Sequence, residues 1–121
     1  MSSGESVRTL DRAVALIHVD GDVQLLSELA ALFLQDYPRL IGQIRTSIRE
    51  RDCEVLERAA HTLKGRLAFF GITKFQQQCF ELERMGREKD PGGALQLLVE
   101  IEPALEAMLP EFETLVHEQS G

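Results

Sequence analysis

Apolar residues recur at intervals of three and four along almost the whole 121-residue chain, and nowhere do apolar and polar positions alternate over five or more residues. That spacing is the period of one helical face and not the two-residue period of a strand, so the expected fold class is all-α. A first short helix, about residues 6–18, carries Val7, Leu10, Val14 and Ile17 on one face, and the turn "VDGD" after it offers Asp20 or Asp22 as the next N-cap. The longest stripe follows: Leu26, Ala30, Phe33, Tyr37, Leu40, Ile44 and Ile48, with Pro38 inside it predicting a kink near Asp36.

Asp52 is the candidate cap of a third helix, whose inward positions are Leu56, Ala59, Ala60, Leu63, Leu67 and Phe70 and whose end falls at Gly71. Thr73 with Gln76 matches a capping box for a fourth helix that turns Phe75, Cys79 and Leu82 inward. Asp90 and Pro91 are the expected cap and first residue of a last helix. That helix presents Leu98, Ile101, Leu105, Met108, Phe112 and Leu115, with Pro103 and Pro110 as further kink positions.

Long amphipathic helices with short connections favour antiparallel neighbours. The expected architecture is an up-down-up-down four-helix bundle over about residues 22–117, with the N-terminal helix packed on one end, as one domain spanning 1–121. An apolar fraction of 44% suffices for a single core. A net charge of -7 argues against a nucleic-acid partner. Cys53 and Cys79 lack metal-knuckle spacing and read as buried thiols of a reducing compartment. "MSSGESV" lacks the pattern of a secretory leader, and no apolar stretch reaches membrane-spanning length, so the expected location is the cytoplasm with no membrane association.

"HTLKGRLAFFG", residues 61–71, is where function concentrates. With Leu63 at the centre of the buried face, a wheel at about 100° per residue turns His61 about 160° away, toward solvent, with Glu54, Glu57, Gly65 and Ala68 on the same outer side. Gly65 costs about 1 kcal/mol relative to alanine inside a helix, and no turn or cap there explains it. Lys64, three residues from His61, is its neighbour on the surface and can reach over the imidazole. Neutral imidazole is a nucleophile near pH 7, a lysine attracts phosphoryl oxygens, and a glycine lets another surface come close. No Gly-rich phosphate loop accompanies them, so a phosphoryl donor would have to be another protein.

"AAHTLKGRLAFFG" resembles the signature of the histidine phosphotransfer (HPt) domains, and the resemblance extends over about residues 22–117. It implies a four-helix bundle that relays a phosphoryl group between the aspartates of response-regulator receiver domains, one of which can belong to a hybrid sensor histidine kinase. Carried over, His61 is the phosphoacceptor, Lys64 assists by charge and Gly65 gives steric access. Ala68, Phe69 and Glu57 are the expected partner-binding positions. The resemblance further implies a monomer with no enzymatic activity of its own, no metal site and no cofactor, Mg²⁺ belonging to the partner receiver. Arg66 departs from the pattern, which usually has a small residue after the glycine. On the wheel it sits about 60° from the buried centre, which predicts a stem packed across a helix boundary and a head in water.

Two other classes compete. The same bundle could dock a receiver or kinase without accepting phosphate. A metal- or haem-binding bundle would need inward ligands at Glu-x-x-His spacing, whereas Glu57 and His61 are four apart and outward. His18 and His117, near helix ends, read as plain surface residues.

Overall fold

The computed structural model describes residues 9–118. Six helices follow in order: α1 (Arg12–His18), α2 (Val23–Glu50), α3 (Cys53–Phe69), α4 (Gln76–Arg87), α5 (Ala94–Ala107) and α6 (Leu109–Val116), with no strand among the described residues. The fold is the four-helix bundle expected, its fourth member divided into α5 and α6.

Asp22, not Asp20, caps α2: its carboxylate accepts the Leu25 amide at 3.0 Å. Every residue of the stripe from Leu26 to Ile48 is buried. Each such Leu, Ile or Phe side chain contributes roughly 1.5–3 kcal/mol on leaving water, far more than the local defect at Pro38 withdraws. Pro38 has no amide to offer the Leu34 carbonyl, yet α2 stays helical through that point. The helix closes on Arg51 in the left-handed region, φ 54°. Asp52 then gives its backbone amide to Ser47 and accepts the Val55 amide on its side chain, so one residue ends α2 and opens α3.

Two expected helix starts move, and one expected kink is a break. The Thr73–Gln76 box does not form: α4 begins after Phe75, with no side-chain cap. Buried Ile72 and Phe75 anchor this loop and leave Thr73 in water. Asp90 does not cap α5 either: the helix starts late enough to put Gly93, not Asp90, in the cap position, and the Asp90 amide instead donates to the Met85 carbonyl at 2.9 Å, closing α4 around Lys89 at φ 58°. A turn from Pro91 to Ala94 intervenes and α5 starts at Ala94. Pro110, which cannot donate to Glu106, sits at the start of α6, and the helix breaks at Met108. The inward stripe from Leu98 to Leu115 survives the break fully buried.

The N-terminal helix is shorter than the expected 6–18. It begins at Arg12, capped by Asp11, while Thr9 and Leu10 run beside α6 and donate their amides to the Glu111 carboxylate. Val7, with residues 6–8, lies outside the described residues. Ile17 is 73% exposed, and Ala15 and Val19 face inward instead. α1 braces the end of α3: the Asp11 amide donates to the Phe70 carbonyl at 2.9 Å. Gly71, with φ +73°, ends α3 as expected, and a Cβ there would lie 2.5 Å from that of Asp11.

The helices run antiparallel, as their contacts show. Ser27 at the start of α2 donates to the carbonyl of Val116 at the end of α6, and Arg45 further along α2 pairs with Glu102 on α5. Phe33, Phe70 and Phe112, with ring centroids 4.3–5.9 Å apart, tie α2, α3 and α6 together.

Candidate functional site

His61 lies midway along α3 and leaves 67% of its side chain exposed, as the wheel requires. It is not free, however. Its Nδ1 lies 2.9 Å from Oε2 of Glu83 on α4, and the other oxygen of that carboxylate takes Lys64 Nζ at 2.7 Å. Glu83 is the one buried charged side chain among the described residues, only 11% exposed. Burial raises its pKa, but the hydrogen bonds from Lys64 and His61 outweigh that and hold it below the usual carboxylate range. An ionised carboxylate only accepts, so Nδ1 carries the proton and Nε2 of the neutral imidazole keeps its lone pair.

Lys64 therefore does not lie over the imidazole. Its ammonium is drawn to Glu83 and rests 5.3 Å from the centre of the Phe80 ring. The pattern of α3 alone does not point to Glu83, although α4 carries a signal: Cys79, Leu82, Glu83 and Gly86 form its buried stripe, and Glu83 is the only charge in that stripe. Gly86 fixes the distance. A Cβ there would lie 2.6 Å from the Glu57 nitrogen and 2.7 Å from the Cys53 carbonyl oxygen, so α4 can approach the start of α3 only with glycine. Nearby, burial pushes the Cys79 thiol up to about 12, which keeps it protonated and inert.

At Gly65 the opposite holds. A Cβ would meet nothing within 4 Å, so nothing within the described residues requires glycine there. The residue separates two surface depressions. One, between α3 and α4, is lined by Lys64, Ala68, Gln76, Gln77 and Phe80. The other is a groove of about 650 Å³ between α2 and α3, with Leu29, Leu32, Phe69 and Phe70 among its apolar lining and His61 and Arg66 on it.

Of the expected partner-contacting positions, Ala68 and Phe69 reach these depressions and Glu57 does not: it is half-buried where α3 meets Gly86. Phe69 is an edge residue on which the His18 ring stacks at 4.8 Å, and His18 Nδ1 donates to the Phe69 carbonyl at 2.8 Å. His18 is thus a surface residue with a structural partner. Arg66 does cross to the neighbouring helix, but its head is paired with Asp36 of α2 and is not simply solvated. No three His, Cys, Asp or Glu side chains gather in a metal-binding group among the described residues. No helix described is long and apolar enough to cross a membrane.

The described residues thus form an all-α bundle that presents a carboxylate-bound histidine beside a lysine and a bare stretch of helix. The family model "Hpt domain" matches residues 28–115, and the chain belongs to that family, the histidine phosphotransfer modules of phosphorelays. It is 30% identical over 79 residues to "Phosphotransferase RcsD" of Escherichia coli (strain K12), a match that covers 65% of this chain. The matched region is 9% of that relative's length. No solved structure matches significantly.

Proposed function

We propose that this chain takes a phosphoryl group from the aspartate of one receiver domain onto His61 and passes it to the aspartate of another. The observation that carries this is the clasp on Nδ1: with the proton held there by Glu83, Nε2 is the nucleophile. Its lone pair forms the N–P bond as the P–O bond to the receiver aspartate breaks and that carboxylate leaves with the electron pair. Glu83 stabilises the positive charge the imidazole acquires, and onward transfer reverses the same steps. Lys64 supplies positive charge near the phosphoryl oxygens, and Gly65 leaves room for the receiver's surface. Any Mg²⁺ is the receiver's, held at its aspartate.

On this reading the chain is a carrier without catalytic activity of its own. It works as a monomeric domain in the cytoplasm, with a hybrid sensor kinase as one source of charged receiver. The test is phosphoryl transfer from a panel of labelled receivers. Acid-labile label on the parent that is lost in His61→Gln is expected. Binding without label in the parent would leave a docking module instead.

A further inference from the structure

The rim of the α2–α3 groove carries charges the transfer chemistry does not use. Arg66 stands directly after Gly65 and pairs across the groove with Asp36, which Arg39 also reaches, at 2.7 Å, from one turn further along α2. One carboxylate faces two guanidiniums, so the rim is positive by one charge on a chain of net charge -7. The hydrogen bonds from Arg66 and Arg39 keep Asp36 below the usual carboxylate range, so this balance persists near neutral pH. Arg66 and Arg39 leave 43% and 59% of their side chains in water, with donors to spare. Below the rim the groove is apolar, and Leu32 in it is 57% exposed.

An apolar floor with a cationic edge is complemented by an apolar ridge that carries a carboxylate along one side. We propose that Arg66 is a specificity-determining residue: it leaves Asp36 for an acidic side chain on a docking receiver whose apolar ridge fills this groove. The exchange costs little. The Arg66–Asp36 pair is exposed and worth little, so giving it up withdraws little stability, and Asp36 retains Arg39 when Arg66 departs. Receivers with a neutral or basic residue at that edge gain nothing and leave the rim charge facing a mismatch. This inference rests on the proposal that His61 exchanges phosphoryl groups with receivers.

The test uses the full chain, a panel of receiver domains, and two measurements on each: Kd for the uncharged receiver by calorimetry, and kcat and KM for transfer from the charged one. Arg66→Gln is expected to raise Kd and KM about two- to fivefold for the preferred receivers, with kcat moved less, and the difference shrinks on going from 50 to 300 mM salt. Asp36→Asn, which releases Arg66 while keeping it in place, is expected to lower both, and Arg66→Lys to recover part of the loss. Unchanged Kd across the panel in Arg66→Gln, or equal weakening of every receiver at both salt concentrations, overturns the inference. A parent that binds receivers with the Arg66 dependence but takes no label overturns the transfer and retains the docking surface. A parent that binds no receiver overturns both.

Discussion

The two sides of α3 are built in opposite ways. Toward α4 the helices touch backbone to backbone at Gly86, and the seam holds a buried carboxylate clasped by His61 and Lys64. Toward α2 the same stretch of α3 opens into a groove of about 650 Å³, and the one ion pair that joins α3 to α2 among the described residues is exposed to water. A buried hydrogen-bonded carboxylate fixes geometry because leaving it unpaired is costly, whereas an exposed pair is worth little and exchanges readily. The closed side therefore orients the imidazole and the open side stays available to another protein. Transfer through His61, as proposed, needs both next to one residue, because a transferred group demands a fixed nucleophile and an unobstructed approach.

The largest effect expected from breaking this contrast comes at Gly86. Gly86→Leu forces α4 away from the Glu57 nitrogen and Cys53 carbonyl and costs about 3 kcal/mol, a fall in Tm of roughly 10 °C in thermal denaturation. Transfer falls with it, since Glu83 moves with α4. A melting curve like that of the parent would mean the seam can relax, and the division into closed and open sides would go.

Next comes Glu83→Gln, which keeps an acceptor but removes the charge. A charge-assisted hydrogen bond is roughly twice as strong as a neutral one, so transfer is expected to slow about tenfold with receiver Kd unchanged. Stability follows the sign of the shift. Glu83 has its pKa lowered in the folded chain, so its stabilisation is complete above its ordinary value of 4.5 and is lost as pH falls through the lower folded value. Denaturation midpoints of parent and Glu83→Gln are thus expected to differ at pH 7 and to converge below about pH 4.5. A constant gap would show that the clasp is not ionic.

How much of this the sequence discloses depends on whether a property belongs to one helix or to two. The stripe from Leu26 to Ile48, the exposure of His61 and the stop at Gly71 are set by periodicity and local backbone geometry, and each is legible in the chain. Glu83 is not legible from α3, because it stands 22 residues beyond His61 on another helix. A wheel of α3 shows that the imidazole leaves the core but not that α4 lies beside it. The caps at Thr73 and Asp90 fail for a related reason: the residue types suit a cap, but the burial of Ile72 and Phe75 and the turn from Pro91 to Ala94 start each helix further along. Arg66 shows both sides, its crossing to a neighbour visible on the wheel and its partner Asp36 visible only in the fold.

The smallest change is the sharpest test of the open side. Gly65 and Gly86 are both helical glycines, and propensity alone assigns each the same cost of about 1 kcal/mol relative to alanine. A Cβ at Gly86 collides with backbone, while one at Gly65 meets nothing within 4 Å. Gly65→Ala is therefore expected to raise stability by about 1 kcal/mol, seen as a higher midpoint in denaturant with the same slope. It is also expected to slow phosphoryl transfer at least about threefold, because the added methyl stands between the two depressions on the ridge that the receiver must approach. Opposite signs from a single methyl group separate a glycine kept for folding from one kept for access. Were stability and transfer to rise together, the bare stretch of α3 would have no part in docking, and the receiver would have to meet His61 from the α4 side, across Lys64 and Phe80.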